Sequence, residues 1–218
     1  MKNALKIDKD FQEKVFASRG VAKVNLQLVP ECDDLGIRLM LQLQQGEMDA
    51  FTAIFKKYYP MIFQFSCRML MNAHDAEEIT QETFMQVYQA APRYKPMAKF
   101  TTWLYTIAKN LCLNKLKSGK LRWIATKPSS NEELSLEESL PSSDRLPSVE
   151  IERKETSEIV MKAVRSLPES LRITIILSRY EEFSNREISV IMKCSEIAVK
   201  LRIHRAMKKL AKLLKRHL

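Results

Sequence analysis

The sequence is poor in the residues that mark several common classes of protein. Its 218 residues include only four glycines, four cysteines and three histidines. Scarce glycine argues against glycine-rich phosphate loops and collagen-like repeats. No two cysteines stand at metal-ligand spacing, so neither a disulfide scaffold nor a zinc site is expected. We therefore assign no metal and no cofactor, and we interpret the cysteines as reduced thiols in a cytoplasmic protein.

Long apolar runs and catalytic constellations are also missing. No apolar run approaches the roughly 18 residues that a membrane-spanning helix needs, so membrane insertion is not expected. The first residues alternate charged and apolar side chains, unlike a signal peptide. No Ser-His-Asp, Cys-His or paired-carboxylate set can be assembled, so we name no catalytic residue and expect no enzyme.

Helix-forming residues and positive charge are abundant instead. The chain carries 36 Lys and Arg against 26 Asp and Glu, for a net charge of +10, and 45% of its residues are hydrophobic. Many Leu, Met, Lys, Glu and Gln with little Gly predict an all-α fold with real cores. The basic excess is typical of proteins that bind an acidic polymer, either nucleic acid or an anionic membrane surface.

The charge is distributed unevenly along the chain. Residues 93–127 contain nine Lys or Arg and no acid, and residues 193–218 contain nine against the single acid Glu196. Between them, residues 128–148 hold seven Ser, three Pro and five acids, which predicts a segment that cannot bury a core. The sequence thus predicts two small helical domains joined by a flexible acidic linker. The expected limits are a poorly ordered extension at 1–33, a first domain at 34–120, a linker at 121–149 and a second domain at 150–218.

Helical periodicity dominates the first domain. Apolar residues from Phe51 to Met69 recur every three or four positions, with a kink or break expected at Pro60. A second helix is predicted from an N-cap at Asp75 to about Ala91. A third is predicted over about residues 101–117, with Gly119 as its stop.

The end of the chain has the pattern of a helix-turn-helix. Ser184 and Glu187 form a predicted capping box for a short helix, and Ser195 can cap a long basic helix after the turn. That last helix has one apolar stripe, formed by Val199, Ile203, Ala206, Leu210 and Leu213. Its other side could enter a DNA major groove, with Lys200 and Arg205 offered to bases or phosphates. The alternative is a solvated basic face on an ordinary helical hairpin.

Two further features admit an ordinary and a functional interpretation. Aromatic and basic residues mix over 93–127, which suits stacking on unpaired bases, although Trp103 and Tyr105 could equally be core residues. Asp75, Glu78 and Glu82 share one face of a predicted helix, and such a face is usually only solvated.

Taken together, four motifs resemble those of bacterial RNA polymerase sigma factors of the extracytoplasmic-function (ECF) type. They are GEMDAF (46–51), DAEEITQETFMQVYQ (75–89), KFTTWLYTIAKN (99–110) and SNREISVIMKCSEIAVKLRIHRAMKKL (184–210). The resemblance implies an alternative sigma factor with a region 2-like domain at 34–120 and a region 4-like domain at 150–218. It would bind core RNA polymerase, direct promoter recognition and help to melt the DNA.

The resemblance also implies site residues. Contacts to core polymerase fall on Asp75, Glu78, Gln81, Glu82 and Phe84. Contacts to the minus-10 element, including the melted non-template strand, fall on Tyr94, Lys95, Lys99, Phe100, Trp103, Tyr105, Lys109 and Asn110. Contacts to the duplex minus-35 element fall on Ser195, Lys200, Leu201, Arg202, His204, Arg205 and Lys208. An anti-sigma factor is the implied regulatory partner.

The sequence departs from the family pattern at two places. The minus-10 loop is basic and contains Pro96, so its base preference is open. Ile197, Ala198 and Leu201 replace the commoner Gly, Thr and Ser, and Leu201 can meet only a thymine methyl group. Two other functions remain open: a helix-turn-helix regulator that does not replace the sigma subunit, and, more remotely, a nucleic-acid-processing enzyme.

Overall fold

The structure is a computed structural model that describes residues 34–126 and 159–215, with side chains in the first range as far as Ser118. Every element in these ranges is helical, and none of them is long and apolar enough to cross a membrane. The predicted all-α fold is therefore confirmed. The predicted extension at 1–33 and most of the predicted linker lie outside the described residues.

The helices follow one another with short connections, and the chain divides into two compact units. The first unit contains α1 (Leu35–Gln44), α2 (Met48–Leu70), α3 (Ala73–Ala90), a 3-10 turn (Ala91–Arg93) and the start of α4 (Phe100–Thr126). The second unit is built from α5, described over residues 159–165, α6 (Glu169–Arg179), most of α7 (Asn185–Met192) and α8 (Glu196–Leu214), while residues 190–193 group with the first unit.

The core of the first unit is largely aromatic. Phe55 of α2 meets Phe84 of α3 with ring centroids 5.0 Å apart. Further along α2, Tyr58 lies 4.9 Å from Phe100 of α4. Aromatic pairs at these distances add about 0.5–1.5 kcal/mol beyond the area they bury. These ring contacts hold α2, α3 and α4 together as one unit.

Asp34 joins the starts of two helices. Its Oδ1 accepts hydrogen bonds from the backbone N–H of Gly36 at 2.9 Å and of Ile37 at 3.4 Å, so it caps α1. Its Oδ2 accepts one from the N–H of Phe100 at 2.8 Å, in the first turn of α4. Both helix N-termini thus share one carboxylate, which satisfies donors that have no partner inside a helix.

Three local predictions for the first unit are corrected. The break expected at Pro60 does not occur, because α2 continues through it and the exposed proline faces away from the core. The N-cap of α3 is Asn72, whose side chain accepts from the N–H of Asp75 at 3.0 Å. The helix α4 passes Gly119 and reaches Thr126, so residues 121–126, the first part of the predicted linker, are helical. A glycine inside a helix costs only about 1 kcal/mol, which is too little to end one by itself.

The predicted caps of the second unit are confirmed. Glu187 Oε2 accepts from the Ser184 N–H at 2.9 Å, and the Ser184 hydroxyl accepts from the Glu187 N–H at 3.3 Å. The Ser195 hydroxyl accepts from the Ala198 N–H at 3.2 Å and so begins α8. Between them Lys193 turns the chain with a left-handed φ of 49°. These local bonds set the helix-turn-helix, and α8 packs against α6 through its buried side chains.

Candidate nucleic-acid interface and acidic helix face

The acidic residues of α3 form an exposed face. Glu78 and Glu82 are exposed and Asp75 is half-buried, all on the side of α3 away from its buried residues. Gln86 Nε2 donates to Glu82 Oε1 at 3.2 Å, which orients that carboxylate. Charged side chains that are exposed on one helix face are available to a basic partner.

Two other residues predicted for this face are placed differently. Gln81 is exposed but lies about 100° round the helix from Glu82, as neighbouring residues must. Phe84 is completely buried, with its ring centroid 5.0 Å from that of Phe55 and 6.2 Å from that of Tyr59. The prediction of a surface contact at Phe84 is therefore corrected: its side chain holds α3 on α2 and cannot reach a partner without unfolding that contact.

A histidine joins the acidic residues at the start of α3. His74, Asp75 and Glu78 bring one ligand atom each within 4.8 Å of one another. All three lie at the surface, where such groups often gather without an ion, so the cluster does not by itself mark a metal centre.

The loop between the 3-10 turn and α4 presents basic and apolar side chains. Lys95 and Lys99 are exposed, and Met97 is 92% exposed. Gln44 Nε2 donates to the backbone oxygens of Pro92 at 3.2 Å and Tyr94 at 3.4 Å, which anchors the start of the loop to α1. The exposed part of the loop is therefore held at both ends, by Gln44 and by Asp34.

Most aromatic residues predicted to stack on bases belong to the core. Tyr94, Phe100 and Tyr105 are buried, and the Tyr105 ring packs edge-on against Phe65 at 5.2 Å. Only Trp103 is partly exposed, with its ring 5.0 Å from that of Tyr94. Direct stacking by Tyr94, Phe100 and Tyr105, which the resemblance implies, does not fit their burial, because a buried ring cannot meet a base without leaving the core.

The polar residues predicted beside the rings also divide. Asn110 is exposed on α4, whereas Lys109 is 6% exposed. The side chains that a nucleic acid can reach here are thus Lys95, Lys99, Trp103 and Asn110. They combine positive charge with one aromatic face, as single-strand binding sites do.

The long helix α8 carries its apolar stripe and its basic residues on different faces, as predicted. Val199, Ala206 and Leu210 are buried, while Ile203 and Leu213 are half-buried. The predicted DNA-facing residues that are exposed are Ser195, Lys200, Leu201, His204, Arg205 and Lys208. Arg202 differs from them: it is half-buried, and its Nη1 donates to Cys194 Sγ at 3.2 Å.

Sequence reasoning noted Ile197 but assigned it no site role, and it did not foresee the double cap formed by Asp34. Ile197 is 79% exposed in the first turn of α8. The signal was its position outside the apolar stripe, since a large apolar residue off the stripe must face solvent or a ligand. No sequence pattern pointed to Asp34, because its partner Phe100 is 66 positions away.

Two family models match this chain. Sigma-70 region 2 matches residues 54–122, and Sigma-70, region 4 matches residues 157–210. The first match covers the acidic helix and the basic loop, and the second covers the helix-turn-helix.

Curated relatives match across both units. The chain is 33% identical over 175 residues to the ECF RNA polymerase sigma factor SigW of Bacillus subtilis, covering 80% of this chain and 94% of SigW. It is 30% identical over 173 residues to the ECF RNA polymerase sigma-E factor of Escherichia coli, covering 77% of this chain and 88% of that protein.

Solved structures support the same fold. CnrH, in complex with the cytosolic domain of CnrY, matches with a TM-score of 0.62 and 21% identity over 84% of this chain and 98% of CnrH. The Bartonella quintana sigma factor RpoE, in complex with the anti-sigma factor NepR, matches with a TM-score of 0.58 and 21% identity over 76% of this chain and 96% of RpoE.

Proposed function

We propose that this chain, which belongs to the extracytoplasmic-function family of RNA polymerase sigma factors, uses its acidic helix face to bind core polymerase and its two basic surfaces to select promoters. Sigma factors are transcription initiation factors and not enzymes. We extend this to the chain itself: it makes no covalent bond and acts in the cytoplasm, where polymerase and promoter DNA meet.

One observation carries the proposal. The chain combines an exposed acidic helix face with an exposed basic helix-turn-helix, and relatives named as ECF sigma factors align across both. A regulator that only binds DNA needs the second surface but has no use for the first. A polymerase subunit that reads promoters needs both.

Core polymerase binding is assigned to the acidic face of α3. The proposed contacts are the carboxylates of Asp75, Glu78 and Glu82, with Gln81 at the edge of the surface. Phe84 supports them from the core by fixing α3 on α2.

Minus-10 binding is assigned to the basic loop and the start of α4. Lys95 and Lys99 would bind phosphates, while Trp103 and Asn110 meet bases of the melted non-template strand. The buried rings of Tyr94, Phe100 and Tyr105 shape this surface from beneath. An extruded base regains stacking on Trp103, which offsets part of the cost of unpairing it.

Minus-35 binding is assigned to α8, with duplex DNA as its ligand. The exposed residues Lys200, Arg205 and Lys208 supply positive charge, and Ser195 and His204 can donate hydrogen bonds. Because the RpoE structure is a complex of a sigma factor with an anti-sigma factor, we also propose that an anti-sigma protein inhibits this chain. The two domains are proposed to lie at 34–120 and 150–218.

Run-off transcription tests the proposed function. Core RNA polymerase is given promoter fragments from the source genome, with and without the full chain. Transcripts that depend on the chain are expected, and their start sites define both promoter elements. Duplex binding without any such transcript would instead indicate a regulator that leaves the sigma subunit in place.

A charge-reversal pair tests the polymerase contact. Glu82→Lys should abolish capture of core polymerase and transcription, because it sets a positive charge in the acidic face. Glu77→Lys is the matched control: Glu77 is also exposed but lies about 140° round α3 from Glu82. Equal loss from both variants, or loss from neither, would contradict the assignment of this face.

A further inference from the structure

Two large apolar side chains stand exposed on the outer ridge of α8. Ile197 is 79% exposed and Leu201 is 45% exposed, one helical turn apart. At about 100° per residue, each lies about 160° round the helix from buried Val199. They therefore point directly away from the core and toward solvent. Polar side chains would be more favourable than apolar ones at these positions.

Basic residues flank this ridge on both sides. Lys200 lies about 100° from Val199 in one direction, and Arg205 about 120° in the other. Both are exposed, and Lys208 continues the ridge beyond Leu201. The pattern along the start of α8 is thus an apolar centre with a positive margin.

This pattern fits a recognition helix seated in a major groove. The N-terminal turns of such a helix face the base edges, while its margins face the phosphates of the two strands. An isoleucine or leucine gains nothing from a phosphate or from a hydrogen-bonding base edge. The apolar group that the major groove offers is the C5-methyl group of thymine.

We propose that Ile197 and Leu201 read thymine methyl groups in the minus-35 duplex, and that Lys200 and Arg205 bind phosphates and not bases. This inference rests on the proposed function, since it takes the minus-35 duplex as the ligand of α8. It assigns base specificity to two apolar side chains and sequence-independent affinity to their charged neighbours.

The positive margin favours DNA over an apolar protein surface as the occupant of the ridge. Lys200, Arg205 and Lys208 surround the apolar pair, and α8 contains only one acid, Glu196, in its first turn. A protein that covered the ridge with an apolar patch would leave these charges to be desolvated or paired. Duplex DNA neutralises them with phosphates while the methyl groups cover the apolar pair.

Replacing thymidine by deoxyuridine tests the proposal, because the exchange removes only the methyl group. The holoenzyme is assembled from the full chain, on the promoter found by run-off transcription. Each thymine of the minus-35 element is replaced in turn. With the unmodified chain, one or two replacements should weaken binding about fourfold, the equivalent of about 0.8 kcal/mol for one buried methyl group.

Ile197→Ala and Leu201→Ala should each weaken binding to the thymine promoter by a similar factor. For each variant, replacing the matching thymine by uracil should then cause no further loss of binding. Met207→Ala is the matched control, because Met207 is also 45% exposed on α8 but lies off the ridge. Lys200→Ala should weaken binding equally on both promoters.

Three results would overturn the inference: no effect of uracil, equal loss on both promoters for the Ile197 and Leu201 variants, or a minus-35 element without thymine. Failure of the proposed function is distinguishable, since it gives no chain-dependent transcript at all. Normal promoter binding by both variants, with altered binding to a protein partner, would assign the ridge to that partner instead.

Discussion

At the scale of single residues, Gly36 shows how closely α1 approaches α4. Gly36 is buried, and a Cβ at this position would overlap the Phe100 ring. We expect Gly36→Ala to lower the free energy of unfolding by about 1–3 kcal/mol, as overpacking does in other cores. Urea denaturation followed by tryptophan fluorescence measures this. Arg38→Ala, at an exposed position of the same helix, is the control and should change little.

The Cys112 thiol makes stability depend on pH. Its burial raises its pKa to about 12. In the unfolded chain the pKa is about 8.5, so the folded state holds the proton more tightly. The stabilising contribution is therefore complete below about pH 8.5 and is lost as the pH rises toward 12, by about 1.4 kcal/mol per pH unit.

Comparison with Cys112→Ala isolates this effect. The variant is less stable at neutral pH because of the cavity, but its stability should fall less steeply between pH 8.5 and 10.5. Parallel pH profiles for the two proteins would show that Cys112 does not contribute to the loss.

At the scale of helices and loops, Asp34 fixes the position of the basic loop by capping α1 and α4 together. Asp34→Ala removes the acceptor from Gly36 and Phe100, so we expect about 2 kcal/mol of destabilisation, the sum of two caps. Asp34→Asn keeps one oxygen and should lose about half as much. Asp49→Ala, at an exposed acid in the first turn of α2, is the control. Equal losses for Ala and Asn would mean that only one of the two caps matters.

Local signals in the sequence predicted the helix starts of the second unit, although they missed that the N-cap of α3 is Asn72 and not Asp75. Ser184 with Glu187, and Ser195, form caps as predicted, since all their partners lie within three residues.

A kink or break was expected at Pro60 and a stop at Gly119, but α2 and α4 continue past these residues. The face of α2 opposite Pro60, which includes Tyr58 and Ile62, is buried, so tertiary packing outweighs the one lost backbone hydrogen bond.

The aromatic residues were harder to interpret for a different reason. Aromatic side chains occur both in surfaces that stack on bases and in hydrophobic cores, and this applies to Phe84, Phe100 and Tyr105. Whether a given ring is buried depends on helices brought together from distant parts of the chain, as when Phe65 packs on Tyr105. The family resemblance points to these segments, but only the packing separates the buried rings from the partly exposed Trp103.

At the scale of the whole molecule, the proposed function divides promoter recognition between the two units. Lys200 on α8 would act on duplex DNA, through phosphates, before strand separation. Trp103 would act on the melted strand afterwards. Variants at the two positions should therefore affect different steps of initiation, although both lower the final amount of transcript.

We expect Lys200→Ala to weaken closed-complex binding on every promoter and to reduce the slope of log affinity against log salt by about 1.

Trp103→Ala should slow opening, measured by permanganate reactivity of unpaired thymines, with closed-complex binding unchanged. Trp103→Phe should retain part of the opening rate because it keeps an aromatic face. Since the two side chains belong to different units and are proposed to act at different steps, the double variant should show the sum of the two free-energy changes within about 0.5 kcal/mol. A coupling well above that would mean that one surface controls the other, and a loss of closed-complex binding in Trp103→Ala would mark Trp103 as a structural residue of the first unit.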